Sequence, residues 1–451
     1  AGAHGGLFSS VDPVAGFLER HRLSDRVVAR TLSALGAIEN EPIDYGVMSV
    51  RHLSAVAEGL AESLLWVVEP TAGQVVLISN RGTPQSPSSI SVPDFVGTSV
   101  TEATVKSVLS GRTVRFAAAM DRITALRRQE AGAPGETAVL AAAEQAALDA
   151  LLGIKVLDLA MGTGTFLVAV IDTLVDGIAE ALTAYHRTHP WVPWAWNPLA
   201  RLILEKREAI LEGAAEQGVL VEPDRLADDV ILSRLVAERS IYGVDLNQTA
   251  VALGRANVAM RAFAVGAPFV DVVRHIRRGD ALLGLRLAAI RDEAVAPALV
   301  SGLLASSRSS GEDDDIFETG PYEALLDLWM SEELGNPGAR DIVRRLGADV
   351  IPALQGTLVL EPAEMDAIRR AGEIGGSLGL LHWDVAFPEV FLVPSDDNVE
   401  QPGFDVIIGS PPSVPPDADG DPFATRAREL VRRPGGRVAL VVTPANRSQE
   451  R

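Results

Sequence analysis

The stretch VLDLAMGTGTF, residues 156–166, changes its periodicity within eleven positions. An apolar run closes on Asp158, glycines stand at 162 and 164, and from Phe166 the apolar residues take up helical spacing. That pattern reads as a buried strand, a tight turn and a helix. Glycine at 162 and 164 lets the backbone approach a ligand at the point where the helix opens. A dinucleotide fingerprint would need a third glycine at 167, where Leu167 stands, so a nicotinamide cofactor is disfavoured. The carboxylate of Asp158 would repel a diphosphate and suits a cationic or hydroxyl-bearing ligand.

Downstream, SIYGVDL (240–246), VVRHI (272–276), FDVIIG (404–409) and RVALVVT (437–443) are short apolar runs separated by helical spacing. They predict a mostly parallel sheet with helical crossovers, an α/β, Rossmann-like core over 153–451. Helical insertions are expected at about 177–238 and 286–395. Residues 11–68 carry helical apolar spacing (Val27, Val28, Leu32, Leu35, then Leu53, Val56, Leu60, Leu64), which predicts a helical N-terminal domain over 1–80. RGTPQSPSS (81–89) reads as a linker, and 81–152 as linker and helical lead-in. The acidic run Glu312–Asp315 reads as a solvated loop.

Two further acids sit where strands end. Asp245 closes IYGVD, a position from which a carboxylate can take both ribose hydroxyls of a nucleoside. Asp280, in RRGDALLG, could accept from an adenine amino group; each acid alone also reads as a helix cap or turn residue. The fourth strand runs into Gly409-Ser410-Pro411-Pro412-Ser413. An aromatic amine is a poor nucleophile because its lone pair is delocalised. The Ser410 hydroxyl and the Pro411 carbonyl could bind both of its N–H groups and favour a more pyramidal nitrogen. The two prolines fix φ and remove competing donors.

The chain has 451 residues, net charge −20 and no cysteine. Disulfides, thiolate metal sites and cysteine nucleophiles are therefore excluded, and the charge opposes non-specific adhesion to nucleic acid. Arginines that could offset this locally are Arg274, Arg277 and Arg278, and the group Arg426, Arg428, Arg432, Arg433 and Arg437. There is no long uncharged apolar span, and AGAHGG lacks a signal-peptide pattern, so a cytoplasmic protein without membrane partners is expected. His186 and His189 read as surface histidines rather than metal ligands. Trp191, Trp194 and Trp196 read as a packed loop wall, with an exposed platform as the alternative.

IYGVDLNQTAVALGRANV, RRGDALLG, LHWDVAFPEVF (381–391) and FDVIIGSPPSV (404–414) resemble the Eco57I-type DNA adenine-N6 methyltransferases, which include type IIG restriction–modification enzymes and PglX-like methylases of BREX phage defence. IDYGVMSVRHLSAVAEGLAE (43–62) and DLWMSEELG (327–335) extend the resemblance from about residue 40 onward. It implies a class I methyltransferase fold and S-adenosylmethionine (SAM) bound by Asp158, Ala160, Gly162, Gly164 and Phe166, with Asp245 on the ribose and Asp280 near the adenine. Ser410, Pro411, Pro412 and Ser413 would form the catalytic loop, acting on an extruded base with no metal required. It implies DNA as partner, together with a recognition domain or defence-system proteins outside this chain. The family's tetrapeptide is Asn-Pro-Pro-aromatic, and serine stands here at both ends. Its Tyr-Tyr-Thr-Pro segment has Ile90-Ser91-Val92-Pro93 as counterpart. These departures keep two alternatives open: a catalytically impaired, SAM-binding scaffold or sensor, and a methyltransferase acting on a non-DNA substrate.

Overall fold

A computed structural model describes residues 24–38, 41–42, 63–69, 74–79, 94–128, 136–290, 300–303, 320–392, 401–412 and 420–441. Its centre is a five-stranded sheet: β1 (Val156–Asp158), β2 (Ile241–Asp245), β3 (Ile276–Arg278), β4 (Val406–Gly409) and β5 (Arg437–Leu440), in the order β3-β2-β1-β4-β5. Every pairing is parallel; Val156 faces Ile241 on one side and Val406 on the other. The strands are short and apolar because the sheet is covered on both faces.

Alternate residues take opposite faces. Val156, Ile241, Ile276, Val406 and Ile408 pack into one core with α1 (Asp94–Arg128), α2 (Glu136–Leu152), α3 (Thr165–Thr188), α5 (Asp228–Ser240) and α6 (Gln248–Arg261). Leu157, Tyr242, Val244 and Ile407 point to the other face, under Trp383, Phe387, Phe391 and Phe404. α4 (Pro198–Glu216) precedes α5 and is N-capped by Asn197, whose Oδ1 accepts from the Leu199 N–H. α10 (Pro422–Leu430) leads into β5.

Two expectations change. The boundary at 177 falls inside α3, which runs unbroken from the turn after β1 to Thr188 because Leu167, Val170, Ile171, Leu174, Ile178, Leu182 and Tyr185 keep one buried stripe. The helical spacing read over 11–68 holds at Asp25–Gly36 but gives way at Ser63–Glu69, a strand paired antiparallel with Gln74–Ser79. SLLWVVE and QVVLIS are β-branched and aromatic enough to prefer pairing with each other. The second insertion has its own core, with Leu325, Leu328 and Trp329 of α7 (Gly320–Ser331) against Val343 of α8 (Ala339–Leu346) and Ala371 of α9 (Pro362–Leu378). Its return segment is tied to the loop after β3 by Leu381 N–H to Leu283 O at 2.9 Å and Trp383 N–H to Leu285 O at 3.2 Å. Glu312–Asp315, residues 81–89 and residues 43–62 lie outside the described residues. Among the described residues no helix is long and apolar enough to cross a membrane.

Candidate active site at the strand tips

The strand order reverses direction between β1 and β4, and in open parallel sheets a ligand crevice opens at the carboxyl ends beside such a point. Asp158 is the last residue of β1 and is fully buried. Its Oδ1 accepts from the Ala160 N–H at 3.1 Å, while Oδ2 is buried with no hydrogen-bond partner among the described residues. Burial, with a smaller push from Asp245, raises its pKa to about 7.

The turn that follows is fixed from several sides. Met161 N–H donates to Val244 O at 3.0 Å, and Gly164 N–H donates to Met161 O at 2.8 Å. Gly164, at φ +81°, lies where a Cβ would stand 3.2 Å from the Gly254 Cα of α6, so conformation and space both require glycine. Gly162, at φ +54°, would have nothing within 4 Å of its Cβ: its conformation demands glycine, and the space before it is open. Asn257 of α6 braces the turn through Nδ2 to Thr163 O at 2.8 Å.

Asp245, at the tip of β2, is joined to this turn. Its Oδ2 accepts from the Gly162 N–H at 2.9 Å and its Oδ1 from the Asn247 N–H at 2.8 Å. Burial raises its pKa and the two backbone donors oppose the rise. Asp280 is engaged in its own turn: Oδ1 accepts from Leu282 N–H at 2.8 Å and from Leu283 N–H at 3.3 Å. The Asp280 N–H donates to Gly379 O at 2.7 Å. Gly379, the C-cap of α9, also lies against half-exposed Leu246, whose Cδ1 is 3.0 Å from a Cβ built at 379. Leu246 and Gly379 join the candidate site beside Asp280, and the sequence reading missed both. Gly379 carried a helix-end signal, but nothing local says that it meets the tip of β2.

Residues after β4 approach the same point. Gly409, at φ +143°, sits so close to Asp158 that a Cβ there would lie 2.4 Å from Oδ1. Ser410 Oγ donates to Val441 O at 3.2 Å; Pro411 is buried and Pro412 exposed. Ser413 and Ile90–Pro93 lie outside the described residues. Phe166 is 8% exposed, packs with the core and lies 3.6 Å from a Cβ built at Gly97 in the first turn of α1. Asp158, Ala160, Gly162, Gly164, Asp245, Asp280, Ser410, Pro411 and Pro412 thus share one edge of the sheet.

Other side chains singled out in the sequence fall elsewhere. Several of the arginines are committed internally: Arg426 donates to Leu282 O at 2.7 Å, Arg433 to Arg428 O, Arg278 to Leu246 O, and Arg432 is 3.7 Å from Asp405. His186 is not a surface residue; it is 7% exposed, stacks on Trp194 at 3.7 Å and lies 3.3 Å from Asn197 Nδ2. The tryptophans divide: Trp191 and Trp194 are 60% and 52% exposed, with Trp194 stacked on His186, while Trp196 packs against the core. Among the described residues no group of three or more histidines and carboxylates could hold a metal ion. Comparison with family models, with curated proteins and with solved structures finds no match to this chain.

Proposed function

We propose that the chain is a SAM-dependent methyltransferase acting on an exocyclic amino group, with adenine N6 in DNA as the substrate. The supporting observation is the contact between Gly409 and Asp158, which puts the Ser-Pro-Pro loop directly beside the buried carboxylate of the Gly turn. The residues present fit a cofactor that is an adenine nucleoside bearing positive charge. Among the described residues Asp158 Oδ2 is a buried acceptor without a donor, and open space faces Gly162. Asp245 retains acceptor capacity beyond its two backbone donors and stands at the position for ribose hydroxyls. Asp280 would stand on the adenine side of a cofactor bound this way. Bound there, SAM would supply an electrophilic methyl group.

On the substrate side, donation of the Ser410 proton to Val441 O fixes the hydroxyl rotor and leaves its lone pairs for an incoming N–H. The Pro411 carbonyl would take the second N–H, so that the nitrogen lone pair becomes more localised. A second reading, a SAM-binding scaffold in a phage-defence or restriction–modification assembly, is favoured by Ser413, which offers no ring to stack on an extruded base. Such stacking is worth about 1–3 kcal/mol per base.

Transfer of a tritiated methyl group to adenine-containing DNA, with genomic partner proteins supplied, separates the two. The methyltransferase reading expects Ser410→Ala to lower turnover about 10²-fold or more, and Ser413→Tyr to raise it while leaving SAM affinity unchanged. SAM binding with no transfer in any variant would establish the scaffold reading instead.

A further inference from the structure

We infer that Gly409 is a positioning residue that sets the cofactor carboxylate and the Ser410–Pro412 loop as a single unit; the inference rests on the SAM-binding reading above. The backbone at 409 has no freedom to drift. On one side Ile408 pairs with Asp158 in the β1–β4 ladder; on the other, Gly409 pairs with Leu440 of β5. Beyond them, Val441 N–H donates to Gly409 O at 2.9 Å, and Ser410 Oγ donates back to Val441 O at 3.2 Å. The carboxylate is the looser partner, since among the described residues the Ala160 N–H is its one hydrogen-bond donor.

A Cβ at 409 would lie 2.4 Å from Asp158 Oδ1, 3.1 Å from Cγ and 3.5 Å from Oδ2. The first distance is far inside van der Waals contact, so a methyl group there must displace the carboxylate away from its fixed strand. The backbone at φ +143° excludes side chains for a second, independent reason. A residue of the base-side loop therefore controls where the charge-binding acceptor of the cofactor pocket stands. Conversely, a ligand that seats Asp158 also seats the start of the loop.

The consequence separates charged from uncharged ligands. S-adenosylhomocysteine carries an ammonium group for Asp158, whereas adenosine has only the ribose and base, which face Asp245 and Asp280. Calorimetry on Gly409→Ala should show at least about tenfold weaker binding of S-adenosylhomocysteine, the scale of one hydrogen bond to a charged group, with adenosine affinity held within about twofold. A purely structural role would weaken both ligands together, and that result, or no loss of either, overturns the inference. If wild type binds neither ligand, the SAM-binding reading fails and the inference with it; if wild type binds both, only the inference is at stake. Should Gly409→Ala not fold, Asp158→Ala keeps the glycine and its backbone conformation and removes the acceptor that it positions. That variant should bind S-adenosylhomocysteine at least about tenfold more weakly with adenosine affinity held within about twofold, and loss of both ligands or of neither would overturn the inference equally.

Discussion

The Gly162 amide donates to Asp245 Oδ2 across 2.9 Å, which ties the turn after β1 to the tip of β2. One carboxylate thus shapes the glycine turn and offers acceptors to a ligand. Asp245→Ala removes both functions, and SAM affinity measured by calorimetry should fall by more than about tenfold, given roughly 1.5–3 kcal/mol for a hydrogen bond to a charged acceptor. Asp245→Asn keeps one acceptor oxygen and should fall between. Wild-type affinity in Asp245→Ala would remove this residue from the site.

The raised pKa of Asp158 has two pH consequences of definite sign. Between its ordinary value of 3.8 and about 7 the folded state holds a proton that the unfolded state has released. Stability should therefore decline as pH rises through that window, by roughly 4 kcal/mol at most. A cation bound at Oδ2 favours the ionised form, so affinity for SAM should rise toward pH 7 and above. Asp158→Asn should flatten the Asp158 part of both profiles in urea titrations and calorimetry. Profiles identical to wild type would mean that Asp158 does not titrate in this range.

His275 predicts the opposite slope on the acid side. It is largely buried beneath the other end of the sheet, its ring 4.3 Å from that of Tyr242, near the cations Lys155, Arg277 and Arg274. Burial first, then those charges, lowers its pKa to about 3; Glu389 lies 3.7 Å from its Nε2. Below pH 6.5 the unfolded chain gains a proton that the folded chain refuses, so stability falls with acidification, by roughly 5 kcal/mol at most near pH 3. Chemical denaturation of His275→Phe between pH 7 and 4 should show a shallower loss than wild type. An equal or steeper loss would contradict the buried neutral imidazole.

Arg112 of α1 and Asp405, just before β4, form a buried ion pair at 2.6 Å, and the same carboxylate accepts from the Lys155 N–H at 2.9 Å. Arg112→Ala leaves that charge without its close partner, with Arg432 3.7 Å away and the buried Lys155 ammonium acting on it through space. Loss of a buried partner costs about 3–5 kcal/mol, and denaturant unfolding should show a loss of that order. A change below about 1 kcal/mol would indicate that Arg432 takes over the pairing.

The strand–turn–helix at 156–166, the short apolar strands and the acids at their tips were legible in the sequence because each is a local signal. Short continuous apolar runs, glycines in a tight turn and a helical stripe from Phe166 onward need only neighbouring residues. The N-terminal segment misled because SLLWVVE fits a helix stripe and a strand equally over so few residues, and its partner strand Gln74–Ser79 settles the matter. Periodicity could not show where α3 ends, since the apolar stripe continues past 177 into what looked like an insertion.

What only the tertiary structure decided is which distant residues touch. The order β3-β2-β1-β4-β5 makes β1 and β4 neighbours across about 250 residues of chain, and so presses Gly409 onto Asp158. Packing of the second insertion against the loop after β3 brings Gly379 to Leu246 and Asp280. Burial of His186 follows from the stacking of Trp194 and the cap at Asn197, three residues joined by a fold-back of the chain. Local sequence sets the conformation of each element. Close contacts between elements depend on how their covered faces are shared, and that is a property of the assembled core.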